Sequence, residues 1–481
     1  MSAPVGGRAP QEGVYTRSPG ASPGTSSKAA ANPLTERILH GAPLPLLLRM
    51  AAPNAIAFLV QASVSMAEIV FVGQLGTVPL ASLALMFPAL MLMQMRANGA
   101  ICGAVSSAVA RAIGRGDRDR AESLVWHALV IAAAAGALFF LVFGLFGEGL
   151  LGLFDATPAV RAQAAAYADI VFAGSGLLWL TALLSAVFRG MGNMRFPAAL
   201  MIGGACVQVP LAGALILGWF GLPRLGLAGA AVAVVAVAAA TGSILLLRLA
   251  SGRSELALRR ATLRLQATLF ADVFRVGALA SLSPLVTVAT VSVVNGLVGT
   301  FGVAALAGYG IVARVEFLLV PMVFGLGAAM TAMVGINMGA GQVSRAERIA
   351  WLGGFTAAGV TGLVGLVLAV APGLWLGLFT DDPAIRAAGE RYLVIVGPVF
   401  ALQGLGLSLY FASQGAGTVV WPVIATLLRF VVGVGAAAVA VHGLGLGIDA
   451  VFGCLAFGMV IYGVVTALSI RLGAWRRPGA W

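Results

Sequence analysis

Apolar runs of roughly 20 residues, about the length that a helix needs to cross the hydrocarbon core of a bilayer, recur along the chain after residue 50. The chain has 481 residues, of which 60% are hydrophobic and only 10% are charged. That is too little charge to cover the surface of a soluble protein of this size. The sequence therefore predicts an all-α integral membrane protein.

The apolar runs predict about twelve membrane-spanning helices. Their predicted bounds are 51–75, 82–108, 124–146, 165–188, 196–219, 226–249, 276–299, 305–335, 349–371, 391–413, 420–441 and 449–471. Residues 1–33 are rich in Ser, Pro, Gly and Ala, and this composition predicts a disordered tail. The tail contains no apolar stretch of the kind found in a signal peptide.

The arginines predict the orientation in the membrane. With the N-terminus in the cytoplasm, the four arginines of the outside loops are Arg161, Arg224, Arg386 and Arg391. The inside segments hold Arg111, Arg115, Arg118, Arg120, Arg189, Arg195, Arg248, Arg253, Arg259, Arg260, Arg264, Arg275, Arg345, Arg348, Arg471, Arg476 and Arg477. Because basic residues accumulate on the cytoplasmic side, we expect both termini to be cytoplasmic.

The two halves of the chain match at a constant offset. ARAIGRGDRDRAES (110–123) matches GINMGAGQVSRAER (335–348), and Tyr167 matches Tyr392 in the same register. GQLGTVPLA (73–81) matches GTFGVAALA (299–307) with a shift of a single position from that register. A constant offset over most of each half indicates an internal duplication.

Each repeat contains six predicted spans, so the two halves have the same orientation and should be related by a pseudo-twofold axis along the membrane normal. We predict two six-helix lobes, an N-lobe over 34–250 and a C-lobe over 276–472, with a short cytoplasmic tail at 473–481. The basic segment 251–275 joins them. Its arginines follow a helix-like pattern, which suits a cytoplasmic linker lying along the anionic inner leaflet.

One acidic residue, Glu68, lies inside the first apolar run. On a helix, Gln61, Ser65, Glu68 and Val72 share a face. An acid facing lipid near the helix centre would cost about 2.5–3.5 kcal/mol, so this face should line a cavity. Burial disfavours the charged form of a carboxyl group, which suits a group that gains and loses a proton. We interpret Glu68 as an ion-coupling residue; the alternative is a structural hydrogen bond to a neighbouring helix.

The other charged motifs favour structural roles. Asp381 and Asp382 precede Pro383, and their counterparts in the first repeat, Asp155-Ala156-Thr157, precede Pro158; both patterns predict a helix N-cap. Arg314 and Glu316 are two residues apart and do not share a helix face. We interpret them as a local ion pair or a contact with a neighbouring helix, with a role in transport as the alternative.

Several functional classes are disfavoured. The net charge of +12 would suit nucleic acid, but the basic residues lie in short loops beside apolar runs, where they set topology. The sequences GRG and GAG resemble phosphate-binding loops only weakly, because neither follows a strand or precedes Lys-Ser/Thr. No Ser-His-Asp or paired-acid motif points to an enzyme. We expect no nucleic acid partner, no cofactor and no catalytic or metal site.

Four motifs are specific when they are taken together. They are Gln61…Glu68-Ile-Val-Phe-Val-Gly-Gln-Leu-Gly in the first span, GRGDRDRA after the second, FRGMGNMRFP (188–197) and VGINMGAGQVSRAE (334–347). In these motifs the chain resembles the MATE family of multidrug and toxic compound extrusion transporters, and the resemblance covers nearly the whole chain after residue 34. These motifs lie in register with the duplication.

The resemblance implies twelve helices in two lobes around a cavity, and export of organic cations driven by inward H⁺ or Na⁺. It implies a bacterial inner-membrane protein, which we expect to be a monomer. The first-span acid of the family is usually Asp, and Glu68 occupies that position. An Asn-x-x-x-Asp pattern that many members carry in the fifth span is replaced by Gln208 and Ala212.

The missing second acid favours H⁺ over Na⁺, since a hard cation needs many oxygen ligands. The predicted site is therefore Glu68 as ion-coupling residue, with Gln61, Ser65 and Gln208 lining the substrate cavity. Two readings stay open. The first is coupling to Na⁺, and the second is a lipid-linked precursor flippase of the same superfamily, for which Arg96, Arg429 and Arg314 would supply the cationic cavity. A membrane enzyme and a major-facilitator transporter fit the loops and motifs less well.

Overall fold

The computed structural model describes residues 33–152 and 156–476, and these form helices and turns only. The predicted disordered tail at 1–33 lies almost wholly outside the described residues, as do Asp155 and the last five residues of the chain. Within the described part, the predicted all-α fold is confirmed.

The first half of the chain opens with a short helix, α1 (Pro33–His40), and continues with the helices of the N-lobe. These are α2 (Pro43–Gly73), α3 (Thr77–Met95), α4 (Cys102–Gly114), α5 (Arg118–Gly152), α6 (Pro158–Ala173), α7 (Ser175–Gly190), α8 (Arg195–Leu217) and α9 (Leu227–Ala250). A π-helical turn, Arg96–Ile101, joins α3 to α4.

The second half repeats this order. Its helices are α10 (Ala267–Ala280), α11 (Leu282–Gly299), α12 (Val303–Gly339), α13 (Val343–Val370), α14 (Gly373–Leu376), α15 (Pro383–Val396), α16 (Phe400–Ala416), α17 (Val420–Leu428), α18 (Gly435–His442) and α19 (Ile448–Arg471). A second π-helical turn, Arg429–Val434, joins α17 to α18.

The helices of the described residues account for the predicted spans. Ten spans are long and apolar enough to cross a membrane, when each of the consecutive pairs α10–α11, α15–α16 and α17–α18 is counted as one span. The pair α6 and α7, bent by 48° at Gly174, makes an eleventh. The remaining predicted span, 82–108, corresponds to the shorter apolar helices α3 and α4. Val399, which is equivalent to Gly174 in the repeat, falls in the 3₁₀ turn between α15 and α16, so both repeats break the same span at the same place.

Most helices begin or end one to two turns beyond the predicted bounds. The first span begins at Pro43 rather than 51, and the seventh begins at Ala267 rather than 276. These two extensions lie on the side of the molecule that holds the segments 111–120, 189–195, 248–266 and 345–348, which we call the basic side. Hydropathy reveals only the part of a helix that lies in lipid, whereas the helix continues to its cap.

The segment 251–266 is not the helix that its arginine pattern predicted. It contains a single 3₁₀ turn, Arg260–Thr262. It is held instead by α5: Ser123 Oγ donates to the carbonyl of Arg264 at 3.1 Å, and Trp126 Nε1 donates to the carbonyl of Arg259 at 3.2 Å. Backbone groups that bond to side chains of α5 are not free to form the ladder of a helix.

The two lobes meet on the basic side through glycines that the duplication relates. A Cβ atom added to Gly114 would overlap the carbonyl of Ile336, and one added to Gly339 would overlap the carbonyl of Arg111. In the repeat Gly114 is equivalent to Gly339 and Arg111 to Ile336, so α4 and α12 cross in a reciprocal, pseudo-twofold contact. We call this the glycine crossing. Only glycine permits such a close approach of two backbones.

The first helix of each lobe also packs into the other lobe on the basic side. Leu47, Met50 and Ala51 of α2 belong to a hydrophobic cluster formed mostly by α12, α13 and α16. Leu269 and Val273 of α10 belong to the cluster of α4, α5 and α7. The cleft between the lobes is thus closed on the basic side.

The two predicted N-caps are confirmed. Asp382 accepts hydrogen bonds from the backbone N–H groups of Ala384 at 2.8 Å and Ile385 at 3.4 Å. Thr157 accepts one from Val160 at 3.4 Å. Asp382 therefore caps helix α15, while Asp381 forms an ion pair with Arg386 at 2.8 Å.

Candidate functional site

The Glu68 carboxylate is hydrogen-bonded to Gln208 between two helices of the N-lobe. Gln208 Nε2, on α8, donates a hydrogen bond of 2.8 Å to Glu68 Oε1, on α2. Gln208 is only 7% exposed, and Glu68 is half-buried. The structure therefore brings together two of the four residues that the sequence placed in the site.

The amide of Gln208 suits a carboxyl group that changes its protonation state. A glutamine side chain carries both a donor NH₂ and an acceptor carbonyl. It can donate to a carboxylate oxygen, as in the bond to Oε1 here, and after rotation it can accept from a protonated carboxyl. Among the described residues Glu68 takes part in no ion pair, so no fixed cation holds it in the charged form.

Tyr167 of α6 completes the immediate surroundings. Its side chain is 4% exposed and lies close enough to Glu68 for the two groups to interact electrostatically. It packs in the cluster of the N-lobe that also contains Val72, one turn after Glu68. The sequence analysis did not assign Tyr167 to the site, although its match with Tyr392 marked it as part of the repeat.

The other two predicted residues lie differently on α2. Gln61 is half-buried and Ser65 is exposed, and in the described part of the chain neither is hydrogen-bonded to Glu68. Ala212, at the position of the missing second acid, is fully buried in the cluster around Val72. The chain therefore has no second carboxyl group there.

A second carboxylate lies in the C-lobe. Glu316 of α12 accepts a hydrogen bond of 2.7 Å from the hydroxyl of Tyr392 and one of 3.4 Å from Nε2 of Gln403. It also lines a small cavity with Thr361, Phe400 and Leu407. Of the two structural interpretations of Glu316, the contact with a neighbouring helix is confirmed.

The local ion pair between Arg314 and Glu316 is not found among the described residues. The Arg314 guanidinium instead lies 5.4 Å from the ring centroid of Phe379, and that of Arg429 lies 5.8 Å from the ring centroid of Tyr462. Both arginines are thus engaged with aromatic faces. The side chain of Arg96, the third candidate for a cationic cavity, lies outside what the structure describes.

The described residues contain no group of three or more His, Cys, Asp or Glu side chains that could hold a metal ion. The site consists of one half-buried carboxyl, an amide that can pair with either of its protonation states, and a neighbouring phenol. Such a set can bind and release a proton or a small cation.

The family of the chain follows from comparison with known proteins. The MatE family model matches residues 53–213 and 280–435, one block in each lobe. The chain belongs to the MatE family. The two blocks contain Glu68 and Gln208 in the first and Glu316 and Gln403 in the second.

Three similar proteins match this chain over about three quarters or more of both lengths. The probable multidrug resistance protein NorM of Burkholderia mallei is 32% identical over 379 residues, which cover 76% of this chain and 77% of that protein. The NorM protein of Thermotoga maritima is 25% identical over 383 residues, covering 79% and 82%. A FAD transporter of Shewanella oneidensis is 26% identical over 375 residues, covering 76% and 81%.

Solved structures show the same fold. A MOP superfamily transporter from Pyrococcus furiosus has a TM-score of 0.84 over 92% of this chain and 98% of its own, at 23% identity. A multidrug resistance MATE family transporter in an outward-facing conformation has a TM-score of 0.83 with the same coverage and identity. The two-lobe architecture predicted from the repeat is therefore the MatE fold. Because the chain belongs to the MatE family and its relatives are named as transporters and multidrug resistance proteins, it is a multi-pass membrane transporter and not an enzyme.

Proposed function

We propose that this transporter exports small organic cations from a bacterial cell by antiport with H⁺, and that Glu68 carries the coupling proton. The observation that carries the proposal is the hydrogen bond between Glu68 and Gln208 inside a MatE fold. The multidrug resistance names of the NorM relatives support the substrate class.

The donor set around Glu68 supports a proton over Na⁺. A sodium ion needs several oxygen ligands, as hard cations do. The described contacts of Glu68 supply one amide, and Ala212 offers no oxygen from its side chain. A proton needs a single carboxyl group whose charged and neutral forms can both be accommodated.

We infer that the basic side faces the cytoplasm, because arginine-rich loops stay on that side during insertion. Since the lobes are closed together on the basic side, the conformation is then outward-facing. Glu68 lies five residues before the end of α2 that is far from the basic side, within reach of water from outside.

The cycle follows from competition at this site. In the outward-facing state, Glu68 takes a proton from outside, and the organic cation loses its anionic partner and leaves. After the lobes rearrange, the proton leaves to the cytoplasm and a new cation binds the ionised carboxylate. Proton and drug lower each other's affinity by the same factor, since such coupling is reciprocal.

The test uses proteoliposomes that contain the purified protein and ethidium as the probe cation. A pH gradient and a Na⁺ gradient are imposed separately, with wild type, Glu68→Gln and Glu148→Gln side by side. Glu148 is an exposed acid of α5 and serves as the matched control for the loss of one carboxylate. We expect uptake driven by the pH gradient, lost in Glu68→Gln and retained in Glu148→Gln.

Other outcomes contradict separate parts of the proposal. Transport that follows only the Na⁺ gradient would show that sodium and not the proton is the coupling ion. The chain would still be an exporter of organic cations. Wild-type transport by Glu68→Gln would remove Glu68 from the coupling. An absence of ethidium transport under both gradients, together with movement of a lipid-linked pyrophosphate, would establish the flippase instead.

A further inference from the structure

A buried arginine lies where the two lobes meet on the basic side. The side chain of Arg111, at the end of α4, is only 3% exposed. Its guanidinium donates to Ser107 Oγ and to Asp272 Oδ1, the latter at 2.8 Å. A guanidinium shielded from water needs such partners, because an isolated buried charge is strongly unfavourable.

The same arginine is part of the contact between the lobes. Ser107 is hydrogen-bonded to the backbone carbonyls of Gln414 and Gly415 on α16, in the C-lobe. Gly417 lies so close to the Arg111 guanidinium that an added Cβ would be 2.8 Å from Nη1. The end of α16 therefore covers Arg111 and keeps water away from it.

The negative charge on this seam comes from Asp272 of α10. Asp272 also accepts a hydrogen bond of 3.1 Å from Arg120 Nη2, so one carboxylate joins two arginines of the N-lobe. Its side chain is 28% exposed. It is the only acid that forms an ion pair with Arg111 among the described residues.

We propose that Asp272 holds the transporter closed on the basic side by neutralising Arg111 at the seam between the lobes. In the closed state Arg111 is buried beneath α16 and depends on Asp272. When the lobes part on this side, water reaches Arg111. Hydration then stabilises the guanidinium in place of the ion pair with Asp272. Loss of the Asp272 charge therefore destabilises the closed state more than the open one and shifts the population towards opening.

This inference rests on the alternating exposure of the two sides in the proposed function, but it involves neither Glu68 nor the coupling ion. Asp272 is a positioning residue, since it acts through Arg111 and touches no substrate. Its effect should appear in the purified protein with no substrate and no gradient present.

The experiment measures a distance across the seam. Asp119 and Ser344 are exposed, occupy equivalent positions in the repeat and begin equivalent helices of the two lobes. Both are changed to Cys in a protein whose native Cys102, Cys206 and Cys454 are replaced by Ala, and both are spin-labelled. Pulsed electron spin resonance in lipid nanodiscs then gives the distribution of distances between the labels.

We expect one short distance in the parent protein and a second, longer distance in Asp272→Asn. The ratio of open to closed molecules should rise about tenfold, the discounted effect of losing a partly exposed partner of a buried charge. Glu36→Gln, which removes an exposed acid on the basic side, should leave the distribution unchanged. A parent-like distribution in Asp272→Asn would overturn the proposal.

A double variant separates charge from shape. Adding Arg111→Met to Asp272→Asn removes the buried charge and should restore the short distance; a distribution that stays open would overturn the role of the charge. Should Asp272→Asn fail to fold, Arg111→Met alone still tests it. That variant should stay closed, and opening would contradict the proposal. All these outcomes are independent of ethidium transport by Glu68 variants, so the two proposals fail separately.

Discussion

The two lobes are copies of one repeat, yet the intramembrane acid has different hydrogen-bond partners in each lobe. In the N-lobe, Glu68 comes from the first span and is bonded to a single amide, Gln208. In the C-lobe, Glu316 comes from the eighth span and is bonded to Tyr392 and Gln403. Tyr167 and Tyr392 are equivalent in the repeat, and each lies beside the acid of its own lobe.

The difference separates a carboxyl that can exchange a proton from one that is fixed. Two donors on two helices hold Glu316 in one position and join α12 to α15 and α16. One amide, which can turn to serve either protonation state, leaves Glu68 free to change. This difference supports the proposal that coupling belongs to the N-lobe and that the acid of the C-lobe has a structural role.

The largest expected effect is on coupled transport. Glu68→Gln should lower ethidium uptake driven by a pH gradient by more than about tenfold, since the coupling free energy between proton and drug is lost. Glu316→Gln, which keeps a similar shape in the C-lobe, should retain most of the uptake. Initial rates in proteoliposomes measure both. Equal losses in the two variants would erase the distinction between the lobes.

The pH dependence of substrate binding should depend on the acid of the N-lobe and not on the acid of the C-lobe. Protonation of Glu68 removes the anionic partner of the cation, so lowering the pH should weaken ethidium binding by up to about tenfold per pH unit. The slope should vanish in Glu68→Gln and persist in Glu316→Gln. Fluorescence titration of the detergent-purified protein measures it. A slope that disappears in Glu316→Gln would place the competing proton in the C-lobe.

The equivalent tyrosines should differ in their contribution to stability. Tyr392→Phe removes the closest donor to Glu316 and should lower the free energy of unfolding by about 1–3 kcal/mol. Tyr167 makes no described hydrogen bond to Glu68, so Tyr167→Phe should change it by less than about 0.5 kcal/mol. Denaturant unfolding in detergent compares them. A larger loss for Tyr167→Phe would mean that the N-lobe phenol supports its acid as strongly as Tyr392 does.

The smallest effect is expected at Gln403. Its Nε2 bond to Glu316 is long, at 3.4 Å, and its Oε1 is buried without a described partner. Replacing both groups by the apolar side chain of Met removes a weak bond and an unsatisfied acceptor, so the free energy of unfolding should change by less than about 0.5 kcal/mol. Gln208→Met should cost about 0.5–1.5 kcal/mol in the same unfolding assay. The reverse order would show that Glu316 relies on its amide more than Glu68 does.

Much of the fold could be predicted because hydropathy and duplication act over long segments. The apolar runs revealed the spans, and the constant offset between the matching motifs revealed two lobes of the same orientation. Glu68 stood out because an acid in lipid is costly, and Gln208 followed from the family resemblance. That the two side chains meet at 2.8 Å is information that only the structure provides.

The side-chain contacts that the sequence did not predict depend on how each helix is rotated about its axis. Packing between helices determines that rotation. Arg314 and Glu316 were recognised as facing different sides, but the sequence did not show that Glu316 turns towards Tyr392. Asp272 lay in a segment that we interpreted as a surface linker, although it reaches Arg111 in the seam. An ion pair between residues 161 positions apart leaves no local pattern in a single sequence.

The glycine crossing has a mechanical consequence. At about 1.5 Å per residue, the 37 residues of α12 extend over about 55 Å, and in the closed state the helix is held near one end, at Gly339. A tilt of a few degrees about such a fulcrum moves the far end by several ångströms while the pinned end hardly shifts. While the basic side stays closed, small adjustments at the glycine crossing therefore become large displacements at the opposite ends of the helices, whereas opening on the basic side requires the crossing itself to separate.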